Sequence, residues 1–112
     1  MAKEAEVNYD EENDILFVSS DKLVNDSVDF DNFVIDFDKN GIIVGVEIMG
    51  AFDFVKKSGM SKKMISSIEK ASLSVIQQGR EYALIKIVFV LEGENKKELI
   101  IPSPVPQTIN CK

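Results

Sequence analysis

Two groups of side chains in this sequence carry spacings that could do chemistry. Asp36, Asp38, Asn40 and Glu47 stand in the order Asp-x-Asp-x-Asn-Gly-x5-Glu. That spacing places oxygens at positions 1, 3, 5 and 12 of a calcium loop, with the glycine at position 6 for the sharp turn. Lys56, Lys57, Lys62, Lys63 and Lys70 concentrate five positive charges in fifteen residues, opposed within the stretch only by Glu69. Such a set suits contact with phosphates or with an acidic partner, and equally suits a solvated helix face. A calcium loop needs a helix on each side. Here the flanks Phe33-Val34-Ile35 and Ile42-Ile43-Val44 are β-branched and alternate with period two, which favours an acidic hairpin turn over a cation cage. We therefore expect no metal and no cofactor.

Other chemistry is limited by what the chain lacks. It has no histidine and one cysteine, Cys111, next to the C-terminus. Ser-His-Asp and Cys-His mechanisms and zinc sites cannot be built from such a set. No glycine-rich phosphate loop is present, and the acids Asp10, Glu11, Glu12 and Asp14 read as a polar turn open to water, not as paired catalytic carboxylates. An enzyme is not expected. The net charge of −6 hides an asymmetry: residues 1–53 hold 14 acids against 3 bases, and residues 54–112 hold 5 acids against 10 bases. The acidic half disfavours wrapping of nucleic acid, while the basic half leaves a local anion contact open. The longest apolar run is broken by Lys86, so no membrane span is expected, and the acidic start lacks a signal-peptide pattern. A cytoplasmic location is the resulting expectation.

These residues must be positioned by strands and one short helical stretch. Ala5, Val7 and Tyr9 alternate as a half-buried strand, and Ile15–Val18, Leu23–Asp29 and Phe33–Phe37 follow as three more. Asn40-Gly41 between apolar runs signals a two-residue hairpin turn, which would pair Phe37 with Val44, Ile35 with Val46 and Phe33 with Ile48. After Gly50 the spacing becomes helical. Ser61 is placed to cap a helix with Met60 packing on Ile65, and Met64, Ile65, Ile68 and Ala71 would share its buried stripe. Leu73–Gln77, Tyr82–Glu92 and Leu99–Ile101 then form a meander, after which Pro102, Pro104 and Pro106 end central pairing.

The motif Tyr9-Asp10-x-Glu12-x-Asp14-x-Leu16-x-Val18, followed by Asp36-x-Asp38-x-x-Gly41-x-x-Val44-Gly45-Val46-Glu47-Ile48, resembles the small prokaryotic domain-of-unknown-function family 2283 over about residues 7–51. The resemblance implies a β-hairpin module with no established activity or catalytic residues, and admits an antitoxin-like regulatory role. The basic helix and C-terminal meander depart from the short members of that family.

The expected fold is α+β: a mainly antiparallel sheet built of hairpins, with one short amphipathic helical segment after the fifth strand. One domain is expected, divided into an acidic hairpin half (7–51), a helical segment (52–70), a meander (71–101) and a proline-containing tail (102–112). The expected function is a non-enzymatic protein–protein interaction module. Both faces of Tyr82–Glu92 are mostly apolar and a single helical segment can cover only part of the sheet, so a homodimer is expected, with an unidentified protein partner also open. Anion or nucleic-acid binding through the lysines is the alternative.

Overall fold

Alternating apolar and polar side chains build eight strands: β1 (Lys3–Asp10), β2 (Ile15–Ser19), β3 (Asp26–Phe30), β4 (Phe33–Phe37), β5 (Ile43–Met49), β6 (Ile68–Gln78), β7 (Tyr82–Leu91) and β8 (Lys96–Pro104). The computed structural model describes residues 3–104. Two short helices, α1 (Ala51–Val55) and α2 (Lys62–Ser66), lie between β5 and β6. Neighbouring strands are all antiparallel, in the order β3-β4-β5-β2-β1-β6-β7-β8. This is the sheet-dominated α+β class that the patterning implied.

β1 divides its partners. Lys3, Glu4 and Ala5 pair with Leu73, Ser72 and Ala71 of β6, whereas Glu6 to Asp10 pair with β2. The sheet is therefore two layers sharing one strand, five strands from β3 to β1 and four from β1 to β8. Their inner faces enclose a single core in which Leu16, Val18, Ile35, Val46 and Ile48 of the first layer join Leu73, Ile85, Ile87, Phe89 and Ile101 of the second. Each such side chain contributes about 1.5–3 kcal/mol on burial. The curl brings the end strands β3 and β8 close together. At one end the helical insert seals the core with Ala51, Val55, Met60 and Ile65, all buried. Phe54 meets Phe33 edge to face at 5.0 Å between ring centroids, a favourable quadrupolar geometry.

Several local expectations are corrected. The hairpin loop has three residues, not two: Asp38 N–H donates to Ile42 O and Gly41 N–H donates to Asp38 O, with Gly41 at φ 79°. Phe37 consequently pairs with Ile43, not Val44. A bulge beyond it restores the register, so that Asp36 faces Gly45, Ile35 faces Val46 and Phe33 faces Ile48. The longer loop and the bulge cancel, and the inward face keeps its residues. α2 begins after Ser61 but stops at Ser66, leaving Ile68 and Ala71 in β6, where cross-strand pairing with Leu91 and Phe89 overrides the helical stripe. The strand expected from Leu23 begins only at Asp26. Pro102 and Pro104 lie inside β8, opposite Leu84 and Tyr82; an edge strand tolerates proline where the missing N–H would face outward. Pro106 and Cys111 fall outside the described residues.

Candidate interaction surfaces

The signature residues of the acidic half shape its turns. Tyr9 Oη donates to Asp14 Oδ1 at 2.6 Å, and the same oxygen accepts the Phe52 N–H at 3.0 Å, while Asp14 O accepts the Ala51 N–H. Asp14, at φ 54°, thus ties the first β-turn to the start of α1. Its bond to the tyrosine holds the phenol protonated and pushes the Tyr9 pKa up to about 12. Asp10 accepts from the backbone and side-chain nitrogens of Asn13, which hold its carboxyl below the usual range. Asp38 Oδ1 accepts the Ile42 and Asn40 N–H groups at 3.0 and 2.8 Å, again lowering its pKa. Its charge organises the turn.

The four residues with calcium-loop spacing are brought onto one hairpin but not into one cage. Asp36 is on β4, where it accepts from Ser27 Oγ at 2.7 Å, and Asp38 and Asn40 belong to the turn. Glu47 faces Val34 across the β4–β5 ladder and Phe17 across the β2–β5 ladder. Strands, not helices, flank the loop. Among the described residues no three acids converge as metal ligands would. Gly45 is what allows Asp36 to lie across β5: a Cβ there would meet Asp36 Oδ2 at 2.9 Å. Glu47 has its pKa raised, first by burial, then by Asp36 and Asp29.

The five lysines are also divided. Lys56 pairs with Asp53 at 3.0 Å, and Lys56 and Lys62 both sit over the Phe52 ring, at 5.7 and 5.9 Å. Lys57 and Lys63 are exposed on the helical end. Lys70 is not on the helix; it lies in β6 and lines an open groove with Glu4, Glu6 and Glu69. The structure adds two lysines that the sequence reading did not include. A Cβ on Gly59 would stand 3.7 Å from Lys97 Nζ, and Lys96 and Lys97 line a hollow with Met64 and Ser67 of the helical end. Only the packing of β8 beside the insert joins charges some thirty residues apart.

Apolar surface is the other feature. The inner side chains of β7 are buried, while Tyr82 and, on β8, Ile100 are 57% and 52% exposed on the outer side. Leu23 is 89% exposed and Val24, Ile42, Val75 and Ile76 are also exposed. The adjacent Leu23-Val24 in an otherwise polar stretch was the sequence signal for part of this surface.

The architecture defines a curled antiparallel sheet protein whose first layer carries an acidic hairpin. Over residues 6–51, the span from β1 to the start of α1, the chain matches the model of the family described as "Protein of unknown function (DUF2283)". It is 32% identical over 104 residues to the uncharacterized protein MJ0789 of Methanocaldococcus jannaschii, a match covering 88% of this chain and 83% of that relative. The second layer is thus shared with a relative although the family model stops before it. No solved structure matches the chain. Among the described residues no helix is long and apolar enough to cross a membrane.

Proposed function

We propose that this chain is a non-enzymatic protein–protein interaction module of the cytoplasm. The observation that carries the reading is the exposure, among the described residues, of seven large hydrophobic side chains, including Leu23, Val24, Ile76, Tyr82 and Ile100, on a chain that already encloses a core. Exposed apolar surface collected in patches is characteristic of contact sites. The test uses the tagged full chain as bait in an extract of its source cell, with mass spectrometry of what is retained. A protein held through a high-salt wash is expected, because apolar contacts outlast screening of charges. Recovery of neither another protein nor an untagged copy of the chain counts against the reading.

A second reading is supported by the basic end. Lys57, Lys62 and Lys63 on the insert are joined there by Lys96 and Lys97, a group suited to a phosphate-bearing partner and compatible with an antitoxin-like regulator. Gel-shift titrations across salt separate the two. Phosphate binding must weaken steeply as salt rises; a retained complex indifferent to salt excludes it.

A further inference from the structure

Chain direction places one end of the curled sheet opposite the helical insert. The β2–β3 loop, the β4–β5 turn, the start of β1 and the β6–β7 turn all lie there, as the antiparallel pairing requires. Among the described residues no helix covers this end. Leu23, Val24, Ile42, Val75, Ile76 and Tyr82, six of the seven exposed large hydrophobics among the described residues, belong to these loops and strand ends. Lys3 links parts of this end, lining one groove with Lys22 of the β2–β3 loop and another with Ile42 and Val75.

We infer that this open end is a homodimer face, its occupant the same end of a second copy. The inference rests on the interaction-module reading and names its partner. The surrounding charges support self-pairing. At this end Lys3, Lys22, Lys39 and Arg80 offset all but one of Glu4, Asp21, Asp26, Asp38 and Glu81, in a chain of net charge −6. An isologous contact places each patch against its own copy, so a nearly charge-balanced apolar end is self-complementary where the acidic outer face of β1 to β5 would repel itself. Strand addition is disfavoured as the mode of contact. β3 and β8 approach each other, and Pro102 and Pro104 in β8 have no N–H to offer a new strand. The contact is made by side chains of the loops and strand ends.

The test is sedimentation equilibrium of the full chain at micromolar concentration, in low and high salt, for the wild type and for Leu23→Asp, Ile76→Asp and Ile100→Asp. All three positions are exposed, and thermal melts confirm folding. The expected result is twice 12.5 kDa for the wild type and Ile100→Asp, and a halved mass for Leu23→Asp and Ile76→Asp. A wild type at 12.5 kDa in both salts overturns the inference and leaves the interaction-module reading to the extract experiment. Dissociation by Ile100→Asp alone also overturns it, moving the contact to the outer face of β7 and β8 while that reading stands.

Discussion

Glu47 shows how one side chain can be shaped by strands that are distant in sequence. It stands between Phe17 and Val34, whose bulk strips water from it, and Asp36 and Asp29 add like charge. Its folded pKa is therefore raised above the ordinary 4.5. The stability linked to a raised pKa is present below the unfolded value and lost as pH rises through the folded one. At neutral pH the ionised Glu47 is a cost. Glu47→Gln is expected to melt at a higher temperature than the wild type at pH 7, with the two curves converging below about pH 4, where the acid is protonated in both states. Thermal melts across pH check this, and a gap independent of pH would contradict it. The motif spacing exposed Asp36, Asp38 and Glu47 as a group. It could not show that Asp38 folds the turn, Asp36 bonds Ser27 and Glu47 is crowded by its neighbours, because those roles depend on register.

At the scale of elements, the hairpin and α2 show two ways in which local signals were overruled. Asn40-Gly41 marked the turn correctly, yet the Asp38 carboxylate accepts two backbone N–H groups and favours a loop one residue longer. The bulge between Asp36 and Phe37 absorbs that extra residue, so the pairing from Asp36 back to Phe33 is unchanged. Gly41 alone takes positive φ in this loop, so Gly41→Ala is expected to cost about 1 kcal/mol or more and Gly41→Asn less, since asparagine tolerates that conformation. Urea unfolding of both variants measures the difference, and equal losses would argue against backbone strain as the cause. Ser61 caps α2 by accepting the Met64 N–H at 3.2 Å, a signal readable from sequence. The helix end was not readable, because Ile68 and Ala71 are pulled into β6 by partners on β7.

For the whole molecule, the decisive feature is the shared strand β1. It joins both layers around one core, so neither layer can keep its inner face dry alone. The chain has no tryptophan and two tyrosines, Tyr9 on the first layer and Tyr82 on the second. Tyr9→Phe and Tyr82→Phe each leave a single probe. Tyrosine fluorescence in urea is expected to follow the circular dichroism of the same variant in both proteins, with one midpoint for each. A Tyr9 transition distinct from the loss of β-signal would mean that the layers unfold separately.

The sequence by itself determined the sheet-dominated class, the apolar inner positions of β2, β4, β5 and β7, the cap of α2 and the family of the first layer. Period-two alternation, capping chemistry and a spaced motif are local, and local patterns survive without knowledge of the fold. Tertiary structure alone decided that β1 pairs on both sides, that Lys96 and Lys97 join the helical lysines while Lys70 leaves them, and that Leu23, Ile42 and Ile76 lie toward the same end of the sheet. Each is a contact between segments far apart in the chain, and its identity follows from strand order, which no local periodicity encodes.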